Sequence, residues 1–398
     1  MDEFRVIETP AEFDDAVQRL LDGDGPVAVD AERASGFRYS QRAYLIQMYR
    51  RGAGTFLFDP PQIPDFSALE SAIRTDEWVL HAASQDLACL REVGLDPDRI
   101  FDTELAARLL GMPRVGLASV VEELLDIKLA KEHSAADWST RPLPQSWLKY
   151  AALDVELLVD VRDRLAERLD EAGKADLAAQ EFDAVLHRAA KPPAAEPWRR
   201  LSGIHAMRSP RNLAVARELW LSRDALAVEL DSAPGRLVPD ASILAVARTL
   251  PSTRRALADM RDFTGRASRT EIDRWWTAIE HGLTTTELPA VRVPSDSPPP
   301  PRAWASRNPE ADARLRVAKG AVAEVAESFG MPVENLLTPD FLRRVAWTPP
   351  PHPDAASIGA ALAELGARAW QVEATSQTIA DAFVEASQSL RDATSTDS

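Results

Sequence analysis

The residues of this chain best suited to chemistry are carboxylates at the ends of apolar stretches. Asp30 and Glu32 stand two apart, directly after the run Val27–Val29. Alternation along a strand puts residues i and i+2 on one face. Two carboxylates side by side repel and raise each other's pKa unless a cation lies between them. A third acid, Asp86, follows the apolar segment "EWVL" and begins a helical run. A fourth, Asp154, lies one turn beyond Tyr150, on the same helix face. Singly, each has an ordinary explanation. Paired acids are common, a helix start favours aspartate through its dipole, and helix charges are usually solvated. Together, four acids from three separated elements suit a pair of divalent cations. Mg²⁺ and Mn²⁺ prefer oxygen ligands and need neither Cys nor His. Two such ions roughly 3.5–4 Å apart stabilise the attacking and leaving oxygens of an in-line phosphoryl displacement. In that reading Asp154 is a ligand, and Tyr150 places its hydroxyl where the attacking water waits.

The elements that must position these groups are legible from periodicity. "PVAVDAE" reads as a short buried strand ending in acids. "AYLIQMYR", "RGAG" and "TFLFDP" form a hairpin signal, two apolar runs joined by a Gly-bearing turn. "EWVLHAAS" predicts another strand, and "QDLACLREVG" a helix closed by Gly94. Asp102 is placed to N-cap the helix "TELAARLLG". Helical patterns fill Val115–Leu125 and Ser146–Ala172, and the stretch Leu143–Leu165 reads as one helix carrying Tyr150 and Asp154. A hairpin followed by alternating strands and helices predicts a mixed sheet with helices on its faces.

Bulk properties narrow the class. A length of 398 residues allows roughly two to four domains. Cys89 is the only cysteine, which excludes an internal disulfide and a Cys-based zinc site. The acidic N-terminus does not resemble a signal peptide, and no uncharged apolar stretch reaches the roughly 18 residues that span a bilayer. A soluble, cytoplasmic chain with no membrane partner is expected. The net charge of −16 is unfavourable for binding phosphates. The charge is uneven, however: Arg199–Arg223 holds six arginines and one acid. That stripe reads either as a backbone-phosphate contact or as a solvated helix face.

Beyond Lys191 the patterning is helical throughout, with Trp220, Trp275 and Trp276 as core candidates. "LVPDASILAVA" (237–247) matches "LLTPDFLRRVA" (336–346) with one residue inserted, an approximate duplication of a small helical module. "VPSDSPPPPRAW" between the modules reads as a stiff linker.

Three segments, "VAVDAERASGFRYSQRAYLIQM", "VLHAASQDLACL" and "YAALDVELL", resemble the exonuclease motifs of the DEDDy superfamily of 3′→5′ exonucleases, and most closely those of the ribonuclease D family. The intervening "IFDTELAARLLG" and "GLASVVEELLDIKLAKEHSAADWSTRPL" are similar as well, so that the likeness covers nearly all of residues 20–170. The helical modules resemble the HRDC modules of that family. The resemblance implies an α/β ribonuclease H-like exonuclease domain followed by two all-α HRDC-like domains. The expected divisions are 1–195 for the nuclease, 205–286 and 306–388 for the helical domains, 287–305 for the Pro-rich linker and 389–398 for a disordered tail.

The resemblance also implies roles. Asp30, Glu32 and Asp154 would hold the metal that activates water. Asp30 and Asp86 would hold the metal beside the leaving 3′ oxygen, and Tyr150 would orient the water. The implied activity is a metal-dependent 3′→5′ exoribonuclease that uses two divalent cations, Mg²⁺ or Mn²⁺. It would trim single-stranded 3′ ends of structured RNA such as tRNA precursors as a monomer, releasing nucleoside 5′-monophosphates. Alternatives are a DNA exonuclease acting in repair and a nucleic-acid-binding scaffold with an idle nuclease domain. Further contacts are expected from Gln85 to the terminal sugar, from Lys131 and Arg141 to phosphate, and from Trp138 to a base by stacking, with ordinary core packing as the other reading of Trp138. Arg208 and Arg211, within the basic stripe, are expected on the nucleic-acid backbone. His81 is expected to be packed and hydrogen-bonded, and Gln47 to be structural.

Overall fold

The structure is a computed structural model that describes residues 4–129, 135–190, 192–293 and 297–396. Its first half is built on β1 (Val6–Ile7), α1 (Pro10–Leu21), β2 (Asp24–Arg33), β3 (Ala43–Arg51), β4 (Gly54–Phe58), α2 (Ser67–Ile73), β5 (Glu77–Leu80), α3 (Leu87–Glu92) and β6 (Arg99–Asp102). The strands form one sheet in the order β1-β4-β3-β2-β5-β6. β2, β3 and β4 are antiparallel neighbours, whereas β1, β5 and β6 join in parallel. This is the mixed sheet expected from the hairpin followed by alternating strands and helices.

Helices α4 (Thr103–Leu109), α5 (Leu117–Leu125), α6 (Gln145–Glu156), α7 (Leu158–Glu171) and α8 (Ala175–Leu186) complete this domain. The residues of β2 separate by parity. Val27, Val29 and Ala31 enter the main core, while Ala28 packs with Val155, Leu158 and Val159 on the other face. Asp30 and Glu32 share the parity of Ala28, so they open toward α6 and α7. The stretch Leu143–Leu165 is two helices rather than one, interrupted at Leu157. The interruption lets α6 pack Leu148, Ala151 and Ala152 onto Leu45 and Leu57 of the hairpin, while α7 sends Val161 and Leu165 into the main core.

The first helical module comprises α9 (Pro210–Glu229), α10 (Pro234–Leu237), α11 (Asp240–Thr249), α12 (Arg254–Asp259) and α13 (Ile272–Thr284). The second comprises α14 (Trp304–Arg307), α15 (Pro309–Ser328), α16 (Val333–Leu336), α17 (Pro339–Trp347), α18 (Ala355–Glu364) and α19 (Ala369–Thr396). The repeat seen in the sequence has a structural counterpart. α9 and α15 are each 20 residues long, α10 and α16 are each four, and both short helices lead into the matched Pro-Asp segments.

Three expected divisions differ from the structure. Trp198 and Leu201 are buried in the first module's core, which therefore begins before residue 205. Trp304, assigned by composition to the linker, is fully buried against Trp347, and its indole N–H donates to the Pro299 carbonyl at 2.6 Å. The expected disordered tail is instead the continuation of α19 as far as Thr396, since nothing in "SLRDATST" breaks a helix. No helix among the described residues is long and apolar enough to cross a membrane.

Both modules touch the nuclease domain. The Ala233 N–H donates to the Phe37 carbonyl, the Tyr39 hydroxyl bonds Asp224, and Asp231 accepts from the Ser40 N–H and the Tyr44 hydroxyl. On the other module, Arg368 makes a two-pronged pair with Glu181 of α8, which also accepts from the Trp370 indole. There the backbones meet closely. Gly111 has φ +72°, and a Cβ on it would lie 2.3 Å from the Gly330 carbonyl oxygen, so only glycine fits.

Candidate active site

The four acids converge from the three elements named by the sequence. Asp30 and Glu32 come from β2, Asp86 from the start of α3, and Asp154 from α6. One carboxylate oxygen each from Asp30, Glu32 and Asp154 lies within 4.8 Å of the other two. Asp86 lies outside that trio but near enough to Asp30 for the two carboxylates to repel. All four, with Tyr150, His81 and Gln85, line a cavity of about 430 Å³.

Asp86 occupies the N-cap position of α3, but its side chain makes no capping bond. The residue is buried, and its carboxylate is held by Arg33, whose Nη2 donates to Oδ1 at 3.2 Å. The turn that presents it is organised by Asp102. That carboxylate caps α4 through the N–H groups of Glu104 and Leu105, as expected, and also accepts from the N–H groups of Ala82 and Ala83. These bonds hold Ala82 at φ 62°, a left-handed conformation that costs a non-glycine residue about 1–2 kcal/mol.

Burial and mutual repulsion shape the electrostatics. Desolvation raises the pKa of Asp30 and lifts that of Glu32 well above the carboxylate range, with Asp30, Asp154 and Asp86 adding repulsion to the latter. Asp86 is pushed up to about 8, first by desolvation and then by Asp30. Asp154 is raised to about 7 by the same two causes, against the Tyr150 hydroxyl that hydrogen-bonds it. Burial raises the Tyr150 pKa as well, so its proton stays on at neutral pH. One guanidinium, that of Arg33, offsets part of four acids. The remaining negative potential and the all-oxygen donor set fit hard divalent cations.

One neighbour of the acids, Arg33, was not singled out from sequence, and another, Gln47, was expected only to be structural. Arg33 carried a local signal, since it directly follows the Asp-x-Glu pair. Gln47 faces Asp30 across the β2–β3 ladder, and its Nε2 donates to Asp30 Oδ2 at 2.7 Å. Gln47 is fully buried, and its structural task is to hold Asp30. His81 is packed and hydrogen-bonded, as expected: Nδ1 lies 2.9 Å from Thr103 Oγ1, and burial lowers its pKa to about 4.

The outer contacts fare differently. Gln85 is exposed at the cavity, within reach of a ligand there. Lys131 lies outside the described residues. Trp138 cannot stack a base, because it is fully buried against Trp147 with ring centroids 5.2 Å apart. Arg141 does not face a phosphate. Its guanidinium clamps the buried Asp59 carboxylate at 2.7 and 2.8 Å and donates to the Tyr44, Trp138 and Thr140 carbonyls.

The basic stripe is mostly internal wiring. Arg211 donates to the Gly282 and Thr285 carbonyls at the end of α13, where a cation suits the dipole. Arg223 is buried and bonds Asp240 and the Val238 carbonyl, Arg217 pairs with Glu218, and Arg199 pairs with Glu196. Arg208 is exposed, as is Arg200.

Comparison with known proteins agrees with this geometry. Sequence models match a 3′-5′ exonuclease domain over residues 4–170, an HRDC domain over 212–279 and a 3′ to 5′ exonuclease C-terminal domain over 297–383. Ribonuclease D of Pseudomonas paraeruginosa is 30% identical over 330 residues, covering 82% of this chain and 85% of that protein. Ribonuclease D of Escherichia coli is 29% identical, covering 78% and 81%. Among solved structures, a protein from Bifidobacterium adolescentis superposes with a TM-score of 0.87 at 38% identity, covering 96% of this chain and 97% of that one. Escherichia coli RNase D, described as an exoribonuclease involved in structured RNA processing, superposes with a TM-score of 0.71 at 25% identity, covering 97% and 99%. A buried acidic site on a mixed sheet, two appended helical modules and relatives matched over most of their length lead to one conclusion: the chain belongs to the ribonuclease D family of 3′→5′ exonucleases.

Proposed function

We propose that this 3′→5′ exoribonuclease trims single-stranded 3′ ends of structured RNA, tRNA precursors among them, by two-metal hydrolysis that releases nucleoside 5′-monophosphates. The observation that carries the reading is the convergence of Asp30, Glu32 and Asp154 within 4.8 Å, with Asp86 lining the same cavity. Asp30, Glu32 and Asp154 would hold one Mg²⁺ or Mn²⁺, and Asp30 with Asp86 the other. When bound, such cations lower the pKa of water and offset charge on the attacking and leaving oxygens.

The chain's own groups do the rest. Gln47 fixes the orientation of Asp30, the acid shared by both positions. Tyr150 keeps its proton and is held by Asp154, so its hydroxyl can orient a water at the reacting phosphorus. Gln85 at the exposed edge of the cavity would contact the terminal sugar. The related exoribonuclease with a structured-RNA role supports RNA as the substrate. The complete five-residue set speaks against an idle nuclease domain.

The test uses 3′-tailed RNA and DNA of one sequence, labelled at the 5′ end, with Mg²⁺, Mn²⁺ or EDTA. A ladder on RNA that EDTA abolishes is expected, and Asp30→Asn should slow it by about three orders of magnitude, since removing a shared ligand forfeits several kcal/mol of charge stabilisation. An equal ladder on DNA would turn the assignment toward repair. Binding without any ladder would leave only a scaffold.

A further inference from the structure

A second cavity, of about 610 Å³, lies where the nuclease domain meets the first helical module. Three arginines line it: Arg38 from the chain after β2, Arg236 from α10, and Arg266. Three acids line it too, but each has its own answer. Asp231 faces Arg42 at 3.9 Å and Glu271 faces Arg274 at 3.6 Å, two cations outside the lining, the second of which also pairs with Glu229 at 2.8 Å. Asp137 is linked to Arg38 through Ser139, whose hydroxyl accepts from Arg38 Nε at 2.8 Å and donates to Asp137 at 2.5 Å. Arg236 and Arg266 are left over. Among the described residues neither makes a side-chain hydrogen bond or an ion pair, and both are exposed.

The backbone that carries these two residues is fixed, and one of the two guanidiniums is seated. The Arg266 N–H donates to the Arg236 carbonyl and the Ala267 N–H to the Leu237 carbonyl, so their backbones run side by side. Gly265 permits that crossing: at φ +115° its Cβ would lie 2.2 Å from the Leu237 oxygen. The Arg236 guanidinium is seated over the Phe37 ring, 4.6 Å from its centroid. Two guanidiniums without an ion-pair partner among the described residues thus face a recess of nucleotide size, in a chain of net charge −16.

Its position fits the substrate. Arg33 lines the catalytic cavity and Phe37 lines this one. Four residues of chain span at most about 14 Å. We propose that the junction cavity is a phosphate subsite for the RNA strand, with Arg236 and Arg266 gripping the backbone about two to four nucleotides upstream of the 3′ end. The assignment of RNA as ligand rests on the proposed function above.

The experiment measures binding and turnover separately in the full-length chain. Asp30→Asn serves as the non-cleaving background for anisotropy with a labelled 12-nucleotide RNA at several salt concentrations. Adding Arg236→Gln and Arg266→Gln should weaken binding about tenfold and flatten the log Kd against log salt slope by about 1.4, two contacts at ~0.7 each. Arg266→Gln alone, at an exposed position that tolerates the change, should give half that loss of slope. In the active chain the double change should raise KM for the 12-mer with kcat unchanged, and leave hydrolysis of a dinucleotide as it was. An unchanged Kd and salt slope would overturn the subsite, and so would an equal loss on the dinucleotide. If the unaltered chain cleaves no RNA and the slope still flattens, the subsite stands and the exoribonuclease reading falls.

Discussion

The two helical modules share a plan and differ in how they are attached. The second has no core of its own: Trp304, Leu315, Trp370 and Phe383 belong to the same continuous apolar cluster as the nuclease residues Phe13, Val29 and Leu90. The first keeps a separate core around Trp198, Leu219 and Trp275, and meets the nuclease domain mainly through hydrogen bonds from Tyr39, Ser40 and Tyr44. Apolar burial is large, non-directional and hard to reverse in part, whereas each hydrogen bond across a wet junction contributes only about 1 kcal/mol net. Duplication of a fold therefore need not duplicate a task. One copy braces the catalytic domain, and the other is a lightly held arm beside the cavity where an RNA strand would pass.

The comparison breaks most visibly at Glu181. Its carboxylate is 8% exposed and answers both Arg368 and the Trp370 indole. Removing one partner of a buried pair strands the other. Glu181→Ala should cost about 3 kcal/mol, seen by calorimetry as a lower transition for the nuclease domain and second module together. The first module's transition should stay in place, and movement of both would mean a single cooperative body.

A matched pair of glycine substitutions sharpens the contrast. Gly111→Ala forces a methyl group against the Gly330 carbonyl, and Gly265→Ala does the same against Leu237. Each should cost about 2 kcal/mol from strain and displacement. The first change should lower the shared transition and the second that of the first module alone. If both lower the same transition, the two cores are not independent.

The smallest effect is expected at the polar junction. Tyr39→Phe deletes a hydroxyl that bonds Asp224 at 3.2 Å. A loss of about 0.5–1 kcal/mol should appear as faster amide exchange at Ala233, whose N–H bonds the Phe37 carbonyl, with no shift in melting of the nuclease domain. Exchange at Ala233 that stays at its original rate would show that apolar contact, not the hydrogen bonds, holds the arm.

How far the sequence could be read depended on the range of each interaction. The acids of β2 and the Tyr150–Asp154 pair were legible because strand and helix periods place them without reference to the rest of the chain. The sheet followed from the order of apolar runs. The pairing of Gln47 with Asp30 was not legible, since it depends on the register between β2 and β3, a pairing with an irregularity near each end. The basic stripe misled for a related reason. Charge counted along the chain cannot reveal that Arg211 reaches carbonyls more than 70 residues away or that Arg223 turns inward to Asp240. Trp138 and Arg141 sit in a polar stretch that looks exposed, yet both close a layer over the hairpin. Two further cations without a side-chain partner among the described residues, Arg236 and Arg266, lie beyond the stripe, where no local run announces them.

The approach of Gly111 to Gly330 bears on how this architecture can be recombined. A module transplanted from a relative brings its own surface, but not the groove that receives it. At this point the receiving surface is a missing side chain on the host domain, so a host with any larger residue there would refuse the graft however well the remaining contacts matched. The first module asks for less, a few hydroxyl and carbonyl partners on one loop. Exchange among related chains should accordingly succeed more often for the arm than for the brace.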